Sequence, residues 1–167
     1  MTAFVALLRA INVGGTGKLA MSDLKALCEQ AGFHAVQTYI ASGNVVFQSS
    51  LSEAEVKAAL ESRLHKHAGK PIGVLIRTGA EMADVLARTP FTDAPGNRVM
   101  AIFLDTPGTL DGITGKAPDE DIRLGLREIY VHYGSGMGTT KLRIPAAANG
   151  TARNMNTVAK LAAMARD

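Results

Sequence analysis

Val36-Gln37-Thr38-Tyr39-Ile40 and Val45-Val46-Phe47-Gln48 are two short strand-like runs, and Ser42-Gly43-Asn44 between them has the composition of a tight turn. The pair reads as a β-hairpin, and its flanks decide the fold. Upstream, Ser22 is placed to cap a helix that runs to about Ala31 and is ended by Gly32. Before it, Ala3 to Arg9 is apolar on both alternating faces, the pattern of a central strand covered on both sides. Downstream, Ser52-Glu53-Ala54-Glu55 is a capping box opening a helix with Val56, Leu60 and Leu64 on its buried face. Its last turn carries His65, Lys66 and His67, where the negative end of the macrodipole favours cations, and Gly69 ends it. Ile72 to Arg77 is a further apolar strand. The order is β-α-β-β-α-β, a ferredoxin-like arrangement with an antiparallel sheet and helices on one face, assigned to residues 1–78.

Residues 79–167 read as a second, smaller α+β lobe packed on the first in one compact unit. Thr78-Gly79-Ala80-Glu81 is another capping box, opening a short helix with Met82, Val85 and Leu86 that Thr89-Pro90-Phe91 stops. Arg98 to Leu104 is the strongest strand of this half. Residues 105 to 118 hold three Gly and two Pro and read as a loop. Asp119 to Leu126 reads as one or two helical turns, Glu128 to Tyr133 as a strand, Gly134-Ser135-Gly136-Met137-Gly138 as a mobile loop, and Lys141 to Ile144 as a short strand. A last helix runs from about Asn154 to Arg166, with Val158, Leu161, Ala162 and Ala165 on one stripe.

Composition narrows the function classes. At 47% hydrophobic and 20% charged, 167 residues make an ordinary globular chain, not a disordered one. Lys and Arg number 18 against 15 Asp and Glu, for a formal charge of +3 and a pI near 9.2. That permits nucleic acid or phosphorylated ligands without demanding them. With 5% aromatics and no Trp, a base-stacking surface is poorly supplied. The one cysteine, Cys28, shares a helical face with Leu24, Leu27 and Ala31 and reads as a buried structural thiol. There is no signal-peptide pattern and no apolar run near the ~20 residues of a membrane helix, so a soluble cytoplasmic protein is expected.

The segment Leu8-Arg9-Ala10-Ile11-Asn12-Val13-Gly14-Gly15-Thr16-Gly17-Lys18 carries the functional reading. Glycines let backbone N–H groups approach a ligand, Arg9 and Lys18 favour a negative one, and the stretch holds no carboxylate or imidazole to move protons. It is not a Walker A loop. Aligned on Gly17-Lys18, the first glycine position is Asn12 and the Mg²⁺-ligating Ser/Thr position is Leu19. The dinucleotide fingerprint fails at Ala20. Gly15-Thr16-Gly17-Lys18-Leu19 and Gly138-Thr139-Thr140-Lys141-Leu142 agree at four of five positions, a match that chance explains as well as duplication does. Ser42 and Asn44 offer a hydroxyl and an amide at the hairpin tip, although tight turns favour those residue types anyway. In Thr151-Ala152-Arg153-Asn154-Met155-Asn156-Thr157, five of seven residues are polar donors at the expected start of the last helix, where an anion is favoured and one cap needs only one of them. A cation at a helix N-terminus runs against the macrodipole, so Arg153 calls for an anionic partner: a ligand, or a structural carboxylate such as Asp105 or Glu128. His132 and Tyr133 are the best-placed proton-transfer candidates, with Tyr39 a further one, but no carboxylate is spaced to orient the imidazole. His65 and His67 point to different helix faces and make a poor metal pair.

These segments in this order resemble the bacterial family known as domain of unknown function 1697. The resemblance spans nearly the whole chain, through Leu7-Leu8-Arg9-Ala10-Ile11-Asn12-Val13-Gly14-Gly15, Tyr39-Ile40-Ala41-Ser42-Gly43-Asn44-Val45-Val46-Phe47, Arg77-Thr78, Pro90-Phe91 and Thr151-Ala152-Arg153-Asn154-Met155-Asn156-Thr157-Val158. The family usually has Gly at Ala10 and often Trp at Met155. The resemblance implies an α+β fold with a second, related lobe, and no established activity. The reading is therefore a binding protein for an anionic ligand, a phosphorylated metabolite or a nucleic acid backbone. The ligand set is Arg9, Asn12, Gly14, Gly15, Lys18, Ser42, Asn44, Arg153, Asn154 and Asn156, with no metal and no cofactor. Nucleic acid would need a basic face, for which Lys57, Arg63, Lys66 and Lys70 are the source. The alternatives are a small enzyme acting on a phosphorylated or carboxylated substrate, or a dimeric interaction module; monomer and homodimer both stay open, and no membrane partner is expected.

Overall fold

A computed structural model describes residues 1–9, 19–40, 42–134 and 137–166. It is mixed α+β, with two antiparallel four-stranded sheets and four helices. The chain divides into two compact units: Met1–Met82 together with the stretch from Leu161 onward, and Ala83–Lys160.

Unit 1 follows the β-α-β-β-α-β order: β1 (Thr2–Leu8), α1 (Met21–Gln30), β2 (His34–Tyr39), β3 (Asn44–Ser49), α2 (Glu53–Ala68) and β4 (Val74–Thr78). Its sheet order is β2-β3-β1-β4. The capping box at Ser52 forms as expected: Ser52 Oγ accepts from Glu55 N–H at 3.2 Å, and Glu55 Oε1 accepts from Ser52 N–H at 3.0 Å. Gly69 ends α2 in the left-handed conformation at φ 74°, which glycine adopts without a Cβ clash. The cap of α1 differs from expectation. Its N-cap is Ala20, which has no side-chain hydrogen bond to give, and Ser22 lies inside the first turn. Helix α1 forms all the same, because Leu24 and Cys28 bury one face of it.

One face of this sheet, with Phe4, Ala6, Leu8, Val45, Phe47, Val74 and Ile76, packs with Leu24, Cys28, Val56, Leu60 and Leu64 of the two helices. Phe33 stacks on Phe47 at 4.2 Å between ring centroids. The opposite face is buried too: Val5, Leu7, Leu75 and Arg77 are all at most 1% exposed. The doubly covered central strand read from Ala3 to Arg9 is therefore present, but helices on one face alone do not describe the sheet.

Unit 2 contains β5 (Val99–Phe103), β6 (Asp121–Leu124), β7 (Glu128–His132) and β8 (Thr151–Asn154), in sheet order β6-β7-β5-β8. The first, second, third and fourth strands thus hold the same places in both sheets. The register agrees residue by residue. Val5 lies between Val46 and Arg77, and Ala101 lies between Tyr130 and Arg153. Leu8 N–H donates to Gly43 O at 2.9 Å, and Leu104 N–H donates to Arg127 O at 2.8 Å, at equivalent points. Unit 2 is a repeat of the unit 1 sheet in which irregular chain replaces both helices. Ile113, Leu142, Ile144, Ala146 and Ala147 cover Ile102, Leu104, Ile129 and Val131, the positions that α1 and α2 cover in unit 1.

Three expectations for this half change. Asp119 to Leu126 holds the edge strand β6, not helical turns. Lys141 to Ile144 makes only an isolated bridge, Thr114 with Arg143. Thr151 to Asn154 is the strand β8, so Arg153 does not stand in the first turn of the last helix, and the macrodipole argument for its partner falls. Of the loop from Gly134 to Gly138, Ser135 and Gly136 lie outside the described residues.

Helix α3 (Gly79–Ala87) follows β4, and α4 (Met155–Met164) follows β8. Thr78 caps α3, accepting from Glu81 N–H at 3.1 Å, and Asn154 caps α4, accepting from Thr157 N–H at 2.9 Å. Each capping residue follows a buried arginine, and each arginine donates from Nη1 to the carbonyl before it, Ile76 O and Ala152 O, both at 2.9 Å. Arg153 also donates to Thr151 Oγ1 at 2.7 Å, and burial pulls its pKa down to about 10. Within unit 1, a Cβ on Gly79 would lie 2.2 Å from Ala165 O, so only glycine permits that approach. Within unit 2, Tyr130 Oη donates to Val85 O at 2.7 Å, tying the end of α3 to the sheet.

Two outcomes follow. Burial, and secondarily Glu29, pushes the Cys28 thiol up to about 12. At pH 8 the native thiolate fraction is then on the order of 10⁻⁴, and labelling by a small thiol reagent should wait on unfolding. Because this pKa is raised above the ordinary thiol value of 9.0, the contribution of Cys28 to stability is whole below pH 9 and is lost as pH rises toward 12. Denaturant titrations of wild type and Cys28→Ala across that range check the slope. Arg153→Ala should destabilise the ligand-free protein by about 2–4 kcal/mol, since it removes charge-assisted bonds from a desolvated position. A melting temperature unchanged by the substitution would contradict this.

Candidate functional site

In unit 1, two backbone hydrogen bonds gather three chain segments at the end of β1. Leu8 N–H reaches Gly43 O in the hairpin turn, and Arg9 N–H reaches Gly73 O before β4, both at 2.9 Å. Arg9 is half-buried, and its side chain lies over Gly73: a Cβ there would be 3.1 Å from Arg9 Cδ and 3.4 Å from Nη1. Gly73 also borders a cavity of about 300 Å³ lined by Glu61, Ser62, His65, Pro71 and Ile72. The carboxylate of Glu61 is already engaged. It accepts from Val74 N–H at 2.9 Å and pairs with Lys57 at 3.3 Å.

The hairpin residues divide by role. Asn44 is fully buried, and its amide donates to Tyr39 O at 2.8 Å and Ser42 Oγ at 3.0 Å, which closes the turn. Ser42 is exposed beside it. Asn12, Gly14, Gly15 and Lys18 lie outside the described residues. The structure thus brings Arg9, Ser42 and Asn44 to one end of one sheet. Gly73 and the cavity beside it had no mark in the sequence, because a glycine that makes room for a distant side chain looks like any loop glycine.

The basic face expected on α2 is partly occupied. Lys57 donates to Val74 O besides pairing with Glu61, and Arg63 donates to Gln30 O at 3.2 Å, at the end of α1. Lys66 and Lys70 are exposed.

In unit 2, Arg153 is buried in β8, Asn154 is a cap, and Asn156 is exposed on the first turn of α4. His132 sits against Phe91 with ring centroids 5.5 Å apart. Burial, and then Glu120, pushes the Tyr133 hydroxyl up, which suits a proton held rather than exchanged. A cleft of about 290 Å³ lies between the chain that follows α3 and the start of α4; Phe91, Gly96, Val99, Met155 and Asn156 are among its walls. Two motif segments, Pro90-Phe91 and Thr151 to Val158, therefore meet at one place in this unit. Among the described residues, no group of three His, Cys, Asp or Glu is arranged to hold a metal ion, and no helix is long and apolar enough to cross a membrane.

Comparison with known proteins agrees with this architecture. The chain is similar over 100% of its length, and over 99% of the other, to the conserved bacterial protein SP0830 from Streptococcus pneumoniae, with a TM-score of 0.78 and 22% identity. At that identity the likeness concerns the fold. No curated protein matches the chain. The model of a family of proteins of unknown function matches residues 1–130, and the chain belongs to that family, DUF1697.

Proposed function

We propose that this is a cytoplasmic protein that binds an anionic ligand at the end of β1. The observation that supports this most is Arg9: a guanidinium at a strand end, lying over a glycine that borders a cavity, with the hairpin turn and its exposed Ser42 at the same end of the sheet. A guanidinium offers a planar fork of donors that matches phosphate or carboxylate oxygens. The carboxylate in the cavity wall, Glu61, pairs with Lys57 at 3.3 Å. The engagement of Lys57 and Arg63 takes two cations from a continuous basic face, which favours a phosphorylated metabolite over a nucleic acid backbone. We read Asn12, Gly14, Gly15 and Lys18 as further donors from the adjoining segment, on their chemistry alone.

Calorimetric titration with inorganic phosphate, nucleotides and short oligonucleotides tests the proposal. Binding of an anion should weaken as salt rises. Arg9→Gln should lower affinity about 10- to 100-fold, the worth of a charge-assisted hydrogen bond. Salt-independent binding of a neutral compound, with no response to any anion, would refute it.

A further inference from the structure

The cleft in unit 2 is separate in chemistry from the site at the end of β1. Its floor is Val99 and Met155, both buried, and its walls are the half-buried Leu86, Phe91, Ala94 and Ala159. Phe91 is backed by the His132 ring, so the aromatic wall is held in place from behind. None of the lining residues is charged. Three lining residues carry polar side chains: Thr92 and Asn156 are exposed, and Thr89 Oγ1 accepts from Phe91 N–H at 3.3 Å, which leaves its own proton to donate. Gly96 presses on Asn156. A Cβ at that position would lie 2.2 Å from Asn156 Oδ1 and 3.3 Å from Asn156 N, so glycine is what lets the chain close against the first turn of α4. Asn156 is exposed on the first turn of a helix of 10 residues, and that turn lines the cleft.

We propose that this cleft binds a compact aromatic carboxylate of one or two rings, its ring on Phe91, Val99 and Met155 and its carboxylate at Asn156 and Thr92. Size sets the ring count. A cavity of roughly 150 Å³ accommodates benzene, and about 290 Å³ here holds a fused pair and little more. Charge sets the head group: the lining offers uncharged donors and the first turn of α4, and its residues include no carboxylate, Asp93 standing exposed between Thr92 and Ala94. The proposal does not depend on the anion site at Arg9.

The chain has no Trp, so the emission of indole-3-carboxylate, and of neutral indole beside it, excited beyond the absorption of the three Tyr, reports binding without tryptophan background. Wild-type protein should shift the emission of the acid to the blue, and neutral indole should bind about 2- to 5-fold more weakly, the share of the helix end. Ala159→Leu and Ala94→Leu each fill the cleft from a different wall and should abolish the shift while the protein still melts cooperatively. Asn156→Asp keeps the shape and favours the helix, yet places a negative charge at the head-group end. It should weaken the acid at least tenfold and leave neutral indole within twofold. Absence of any shift in wild type at millimolar probe overturns the proposal. So does a shift that persists in both folded filling variants, or an acid that Asn156→Asp leaves untouched.

Discussion

The two sheets are each arranged around a central strand that is buried along nearly all of its length. β1 is buried from Ala3 to Leu8, and β5 is buried at Val99, Ala101, Ile102 and Phe103. Such a strand has neighbours on both edges and needs cover above and below. A slip of one residue in its pairing would send each side chain to the opposite face. The rows Val46-Val5-Arg77 and Tyr130-Ala101-Arg153 show how tightly that register is kept, since even the placement of a buried arginine recurs. A guanidinium in such a row is tolerable because its own strand supplies acceptors, the preceding carbonyl in both cases.

What differs between the units is the cover. In unit 1 two helices of 10 and 16 residues close one face; in unit 2 irregular chain with scattered apolar residues does so. Strand pairing, not helix packing, is what the repeat retains. It follows that a site at the end of one central strand need not have a chemical counterpart at the other. By register Arg9 corresponds to Asp105, a cation on one side and an anion on the other.

Local signals made most of unit 1 legible. The capping boxes at Ser52 and Thr78, the left-handed glycine at position 69 and the Leu24/Cys28 stripe each act within a few residues, and each is where the sequence places it. The two strands misread in unit 2 are both sheet edges of four residues. β6, Asp-Ile-Arg-Leu, does alternate, but over only four residues, of which it buries Ile122 alone, and so short a run does not decide between strand and helix. β8, Thr-Ala-Arg-Asn, carries polar residues that read as a helix start because Asn154 does cap the helix that follows. Arg9 stood out by its place between an apolar run and a glycine segment. The cleft at Phe91 did not, because it is made by chain segments far apart in sequence, and the cavity beside Gly73, though lined by residues 61–73 alone, carries no motif.

The boundary between the two units falls inside α3 and again inside α4, so unit 1 is made of two pieces of chain separated by the whole of unit 2. During synthesis its sheet and both covering helices leave the ribosome first. Leu161, Ala162 and Ala165, buried in the finished protein, and the carbonyl that Gly79 is shaped to admit come only after unit 2 has been made. The half that is translated first is thus completed last. A nascent chain stopped short of Leu161 therefore lacks three buried apolar residues of unit 1 and the carbonyl against which Gly79 packs.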